Sequence, residues 1–193
     1  TTFYALFHRS AFPVQNSKES IQKARALFST PDDIFLYDDY PFLRKTNTAK
    51  KVSRKNIVFI ILESWSAKRV GVLGDPMRAT PFFDSLAEEG WFFTNAYATG
   101  RRSIASLPAA ISSIPTLYGS LYITSPFEQN AQRGLGTIFR EQGYSTFFTY
   151  AAKAGSMGFN TFARLAGFEV ITTREDFPEE APHDGVWGVY DHV

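Results

Sequence analysis

Cysteine is absent from the 193 residues of this chain, and histidine and methionine occur only three and two times. Without cysteine, the chain can form neither a disulfide nor a thiolate metal site, and it has no thiol nucleophile. This composition is compatible with an extracytoplasmic bacterial protein.

Long apolar runs and an excess of charge are also missing. The longest apolar run, "IVFIIL" at 57–62, is far shorter than the roughly 18 residues that a membrane span requires. No signal peptide is recognisable. The formal net charge of +1 argues against a protein that binds nucleic acid through bulk charge. Hydrophobic residues make up 44% of the chain, as expected for a globular domain with a sizeable core.

The first 55 residues differ in character from the rest. They are polar and irregular, apart from a short helix predicted at 17–29 from the spacing of its apolar residues. The segment 44–55 is basic and has the composition of a solvated linker, with contact to an anionic membrane surface as the alternative. We therefore predict an arm or linker over residues 1–55.

From Asn56 onward, strand-like and helix-like segments alternate. The patterns predict strands at 56–62, 91–98, 144–151 and 168–171, and helices at 80–90, 103–113, 134–143 and 158–167. The run at 56–62 is typical of a strand buried on both faces. This alternation predicts an α/β fold, with a mostly parallel central sheet and helices on both faces.

Two residues stand where ligands bind in such folds, at the carboxyl ends of strands. Glu63 directly follows the 56–62 strand, and Ser103 follows the 91–98 strand after a short turn that contains Arg101 and Arg102. A buried carboxylate needs a partner, and a metal ion would supply one. Taken alone, however, a glutamate there more often caps a helix or meets a basic side chain, and a serine more often acts as a helix N-cap.

Considered together, these segments resemble a known family. The stretch "NIVFIILESWSAKRVGVLG" (56–74), followed by "ATPFFDSLAEEGWFFTNAYATGRRSIASLPA" (79–109), resembles the lipoteichoic acid synthase-like phosphoglycerol transferases of the sulfatase/alkaline phosphatase-like superfamily. The resemblance extends from about Asn56 to "WGVYD" (187–191). It implies a sulfatase-like fold, of which residues 56–193 would form the N-terminal portion.

The resemblance also implies roles for individual residues. In the family, the glutamate of an "ES" pair binds a divalent metal, usually Mn²⁺ or Mg²⁺ with Zn²⁺ as an alternative, and this glutamate corresponds to Glu63. The family's nucleophile is a metal-bound threonine at the position of Ser103, where serine keeps the hydroxyl. Arg101 and Arg102 can neutralise phosphoryl oxygens. Tyr150 and Lys153 fall in the segment that contacts the substrate head group in the family.

The implied activity is transfer of a phosphoglycerol-type head group from a membrane phospholipid to a cell-envelope glycan or polymer, through a covalent intermediate on Ser103. The alternatives are a phosphoethanolamine transferase, another phosphohydrolase of the superfamily, and an inactive binding domain. A sulfatase is disfavoured. Sulfatases convert a cysteine or serine to formylglycine and carry proline two residues and arginine four residues after it. Counted from Ser103, this chain has Ala105 and Leu107 at those positions.

Further expectations follow from the same resemblance. The protein is expected on the extracytoplasmic face of the cell membrane, with an anchor before Thr1 and no nucleic-acid partner. The remaining metal ligands of the family would lie outside these residues, so the chain alone is expected to be incomplete and inactive. The missing C-terminal part of the domain is then a candidate partner. Asp191 and His192 are interpreted as the start of a helix rather than as ligands.

Overall fold

The computed structural model describes residues 17–38, 44–46, 54–116 and 120–193. The chain divides into two compact units, Thr1–Ile60 and Ile61–Val193. No helix within the described residues is both long and apolar enough to cross a membrane.

The first unit contains the predicted helix and a small hairpin. Helix α1 covers Ser17–Phe28, and strands β1 (Asp33–Phe35) and β2 (Arg44–Thr46) pair in antiparallel fashion. Arg25 of α1 donates to the carbonyls of Tyr37 and Asp38, and its guanidinium lies 4.5 Å from the centre of the Phe35 ring. The basic segment predicted as a linker is thus partly a strand, because the arginine at position 44 pairs with Asp33 at 3.1 Å. Its residues 47–53 lie outside the described residues.

The second unit follows much of the predicted helix pattern. Helix α2 covers Pro81–Glu89, α3 covers Ser103–Ser112, α4 covers Leu135–Glu141 and α5 covers Phe159–Leu165. Single 3-10 turns occupy Ala67–Arg69, Gly71–Leu73, Ser156–Gly158 and Arg174–Asp176. Helix α2 begins as its sequence predicts, with Thr80 at the N-cap, Pro81 at the first helical position and Gly90 at the C-cap.

A parallel strand pair lies between the last helices. Strands β3 (Phe147–Thr149) and β4 (Val170–Thr172) pair in register from Phe147 opposite Val170 to Thr149 opposite Thr172. Helix α5 connects them, as a parallel crossover requires. Among the described residues of Ile61–Val193, the predicted parallel sheet is represented by this one pair of hydrogen-bonded strands, β3 and β4.

The hydrophobic core is built on α3. Ile104, Leu107 and Ile111 recur at helical spacing and are all buried. They form one cluster with three residues from later in the chain: Ile123, Phe162 and Ala166. Burying an isoleucine or leucine side chain contributes about 1.5–3 kcal/mol. Helix α3 is therefore fixed along its apolar face.

Two predicted strands are wrong. The segments 56–62 and 91–98 carry no strand assignment, and most of their large apolar side chains are exposed, up to 83% at Val58 and 93% at Trp91. A strand that is apolar on both sides needs neighbours at both edges and layers on both faces. The described residues supply neither, so composition alone predicts the wrong state here.

Close backbone packing positions α4. A Cβ atom at Gly136 would lie 2.5 Å from the carbonyl carbon of Gly167 and 2.5 Å from the nitrogen of Phe168. Backbone atoms cannot yield as a side-chain tip can. Glycine at this position therefore lets α4 lie directly against the end of α5.

We expect Gly136→Ala to destabilise the second unit by about 1–3 kcal/mol, the usual cost of overpacking. The measurement is urea unfolding followed by circular dichroism. Gly155→Ala is the matched control, because a Cβ there meets nothing within 4 Å and its φ of −80° suits alanine. Equal stability of the two variants would show that α4 can accommodate a Cβ at position 136 without loss of stability.

A rigid loop lies against the end of β3. Val189 donates to the carbonyl of Ala151, and a Cβ at Gly188 would lie 1.9 Å from that same oxygen. Within the loop, the Asp184 carboxylate accepts N–H bonds from Val186, Trp187 and Gly188. Hydrogen bonds to the charged form, first from Val186 and then from Gly188, lower the pKa of Asp184.

This loop should loosen in acid. The folded-state pKa is below the unfolded value of about 4, so the contribution of Asp184 is complete above pH 4 and is lost as the pH falls through the folded-state pKa. We expect the amide NMR signals of Val186 and Gly188 to titrate with a midpoint below 4. Asp184→Asn should abolish that titration, and a midpoint at or above 4 would contradict the assignment.

Candidate functional site

Glu63 lies at a backbone turn directly after the apolar segment. Its side chain is exposed, and the Ser64 hydroxyl donates to its carboxylate at 3.4 Å. Ser64 adopts a φ of 54°, in the left-handed region that non-glycine residues rarely occupy. Such conformations are concentrated at functional sites. The turn therefore presents a carboxylate oxygen to solvent at a strained position.

Aromatic contacts connect this turn to the rest of the second unit. The ring of Trp65 lies 5.8 Å from that of Phe83 on α2, and Phe83 meets Phe92 edge-on at 6.1 Å. Pairs of this geometry add about 0.5–1.5 kcal/mol beyond their burial. Phe83 of α2 therefore contacts both Trp65, which follows Glu63, and Phe92, which precedes Ser103 in the chain.

The turn before Ser103 is pressed onto helix α3. A Cβ at Gly100 would lie 2.6 Å from the Cβ of Ala105, so glycine is required for this approach. Arg102 is the N-cap residue, with extended backbone at φ −130° and ψ 149°, and its carbonyl accepts the N–H groups of Ala105 and Ser106. The sequence "TGRRS" therefore folds as a bent turn in which Arg102 is extended and leads directly into the helix.

Ser103 is the first residue of α3. The sequence context, taken alone, favoured Ser103 as the N-cap, but Arg102 holds that position. Its hydroxyl makes no hydrogen bond to any described residue, and its side chain is partly exposed. The N–H groups at a helix start lack partners within the helix, and the dipole there favours negative charge. Ser103 thus combines an unengaged hydroxyl with an environment suited to an anion.

Arg101 and Arg102 flank this hydroxyl in sequence and are both exposed. Within the described residues, neither side chain forms a hydrogen bond or ion pair. Two guanidinium groups without protein partners beside a helix start can bind phosphate or sulfate oxygens. Glu63 likewise forms no hydrogen bond or ion pair with Ser103, Arg101 or Arg102, all of which are described residues.

The donor chemistry of the predicted metal ligands suits a hard cation. Carboxylate and hydroxyl oxygens are preferred by Mg²⁺ and Mn²⁺. No three His, Asp or Glu side chains converge around a common point in the parts of the chain that the structure describes. Glu63 and Ser103 carry oxygen donors of the kind these ions prefer, and their roles as metal ligands stay predictions.

Tyr150 and Lys153 lie just after β3. The Tyr150 hydroxyl donates to the carbonyl of Ala154 at 2.9 Å, and its ring packs against Phe148 and Phe159. Burial, followed by the charge of Glu175, raises the pKa of Tyr150, which keeps the phenol protonated. The ammonium group of Lys153 is exposed and has no partner among the described residues. Lys153 is thus the more available of the two, and substrate contact by either residue stays a prediction.

Two hydroxyls at the Ser103 turn have no counterpart in the sequence analysis. Ser106 donates to the carbonyl of Gly100 at 2.9 Å, and Thr116 donates to the carbonyl of Ala105 at 2.7 Å. The only available signal was the spacing of Ser106, three residues after Ser103, which places it on a neighbouring part of the helix surface.

Comparisons with known proteins identify the family of this chain. A model of the Sulfatase family matches residues 55–193. The ulvan-active sulfatase of Formosa agariphila is 22% identical over an alignment of 150 residues that covers 72% of this chain and 29% of that protein. A crystal structure of an alkaline phosphatase superfamily protein from Vibrio parahaemolyticus aligns with a TM-score of 0.80 and 30% identity, over 92% of this chain and 42% of that one.

The chain therefore spans less than half the length of these two relatives. The likeness to the solved structure confirms the α/β fold class predicted from the alternation of strands and helices. Because the family model covers residues 55–193, which contain Glu63 and the Ser103 turn, this chain belongs to the Sulfatase family within the sulfatase/alkaline phosphatase superfamily.

Proposed function

We propose that this protein is a metal-dependent head-group transferase of the cell envelope, with Ser103 as its nucleophile. It would move a phosphoglycerol-type group from a membrane phospholipid to a glycan or polymer acceptor. The observation that carries the proposal is the unengaged Ser103 hydroxyl at the first position of α3, next to the unpaired Arg101 and Arg102.

The reaction would proceed in two displacements. The Ser103 oxygen attacks the phosphorus of the phospholipid, a bond forms between serine oxygen and phosphorus, and the bond from phosphorus to the diacylglycerol oxygen breaks. The serine proton is lost, and diacylglycerol leaves with a proton on its oxygen. An acceptor hydroxyl then attacks the same phosphorus and releases Ser103.

The chain contributes mainly position and charge to these steps. Phosphoryl transfer needs an aligned nucleophile and stabilisation of negative oxygens more than it needs covalent assistance. The N–H groups at the start of α3 and the guanidinium groups of Arg101 and Arg102 would supply that stabilisation. The core contacts of Ile104 and Leu107 keep the helix start fixed while the substrate changes.

Members of this superfamily usually use divalent metals. Here Glu63 and Ser103 would hold the ion, with Mn²⁺ as the proposed metal and Mg²⁺ or Zn²⁺ as alternatives. A bound divalent ion favours the deprotonated form of a nucleophilic hydroxyl and neutralises phosphate oxygens. Among the described residues, the exposed Glu63 carboxylate accepts only the long bond from Ser64 and so remains available as a ligand.

Sulfate-ester hydrolysis is the competing activity, given the name of the curated relative. What speaks against it here is the residue pattern after Ser103. Ala105 and Leu107 occupy the positions where sulfatases carry proline and arginine, and both are buried in the core around α3. An arginine at position 107 would have to displace part of that core.

The proposed donor places the protein at a membrane surface. We propose that the protein reaches this donor from the extracytoplasmic face of the membrane and uses a glycan or polymer acceptor. A phosphoethanolamine donor would use the same chemistry at Ser103 with a different head group, which makes the choice of donor a question for direct assay.

The test is turnover of a fluorescent phosphatidylglycerol analogue by the full-length gene product with Mn²⁺. Ser103→Ala should lower kcat by about 10³-fold or more, because the nucleophile is removed. Ser103→Thr keeps the hydroxyl and should stay within about tenfold of the wild type. Ser112→Ala, on the same helix, is the matched control: its hydroxyl is buried without a partner, and activity should not change.

Parallel assays with a phosphatidylethanolamine analogue and an aryl sulfate assign the reaction class. Turnover of the aryl sulfate alone would identify a sulfatase. Full activity of Ser103→Ala on the lipid would remove Ser103 from the mechanism. The absence of turnover on every substrate, with no Mn²⁺ binding, would leave a binding domain.

A further inference from the structure

The start of helix α3 is held by fewer backbone bonds than a regular helix. Pro108 lies inside α3 and has no N–H group, so the carbonyl of Ile104 lacks its normal partner four residues on. The first N–H groups of any helix also lack partners within it. Ser103 therefore lies on a turn that backbone hydrogen bonds alone hold weakly.

Side-chain hydroxyls add further connections at this turn. The Ser106 hydroxyl donates to the Gly100 carbonyl at 2.9 Å, which joins the residue before the arginines to the first turn of α3. The Thr116 hydroxyl donates to the Ala105 carbonyl at 2.7 Å, and its oxygen lies 3.5 Å from the hydroxyl of Thr99. The Ser106–Gly100 bond and the contact between Thr99 and Thr116 each connect segments on either side of Ser103, and the Thr116–Ala105 bond ties Thr116 to the helix.

The space around Gly100 depends on the same arrangement. A Cβ at Gly100 would lie 2.6 Å from the Cβ of Ala105 and 3.1 Å from the Ser106 hydroxyl oxygen. The turn is therefore in contact with the helix and cannot move closer. Ser106 and Thr116 prevent the opposite motion, in which the turn would lift away from α3.

We propose that Ser106 and Thr116 are positioning residues for the nucleophile. Their hydroxyls hold the 99–102 turn on α3, so that Ser103 and the guanidinium groups of Arg101 and Arg102 keep one relative placement. Neither side chain touches the reacting atoms in this role. The inference rests on the proposed function of Ser103 and adds residues for which no role is otherwise assigned.

The experiment compares kcat, KM and Tm for Ser106→Ala and Thr116→Val in the full-length gene product. A displacement of about 1 Å at a reacting group can cost about 10²-fold, so each variant should lose about 10- to 100-fold in kcat. KM should change less than about threefold. Ser106→Thr and Thr116→Ser keep the hydroxyl and should recover most of the lost kcat.

Ser125→Ala is the matched control. Its hydroxyl likewise donates to a backbone carbonyl, that of Tyr122, at 2.7 Å, it accepts the N–H of Phe127 at 3.2 Å, and it lies outside the turn. Loss of these hydroxyl bonds should lower Tm by about 2–4 °C in each of the three variants. A merely structural role would make kcat fall equally little in all three, and that result would overturn the inference.

Amide hydrogen exchange separates this inference from the proposed function. If the wild type turns over no lipid, the proposed function is wrong, but the inference that Ser106 holds the turn is still tested by hydrogen exchange. Exchange at Ala105 and Ser106 should still be faster in Ser106→Ala than in Ser125→Ala, because both amides bond to the Arg102 carbonyl in the turn. Equal exchange in the two variants would show that Ser106 does not hold the turn.

Discussion

The packing of helix α3 into the core is the constraint on which the site depends. Ile104, Leu107 and Ile111 are buried against Ile123 and Phe162, which fixes both the axis and the rotation of the helix. Since Ser103 is the first residue of that helix, burial of its apolar face also decides where the hydroxyl lies. The same face includes Leu107, which occupies the position where sulfatases carry arginine.

The charges of the site follow a second constraint, which is that ionic groups intended for a ligand must not be neutralised by the protein. Several arginines elsewhere in the chain are engaged: Arg133 forms a bidentate pair with Glu141, and Arg174 donates to two carbonyls. Arg101 and Arg102 have no such partners within the described residues, and neither has the exposed Arg78. What sets Arg101 and Arg102 apart is their place beside a helix start, where an anion is favoured.

Local sequence signals predicted helices well and strands poorly. The caps of α2, Thr80 with Pro81 and Gly90, act within a few residues, so the sequence contains all that is needed. The segments 56–62 and 91–98 need partners far away in the chain, and their apolar character says nothing about whether those partners are present. The carbonyl bonds of Ser106 and Thr116 were unpredictable for the same reason, since they depend on how the turn lies on the helix. Glu63 and Ser103 became candidates through a family pattern.

The exposed segment 57–62 has a consequence for the behaviour of the chain in solution. Six consecutive apolar residues, most of them β-branched and without proline, are a typical nucleus for intermolecular strand pairing. Charged residues at its two ends, Lys55 and Glu63, oppose such pairing as gatekeepers. Glu63 thus protects solubility in addition to its proposed ligand role, and removing its charge would change the aggregation tendency of the protein together with any metal affinity.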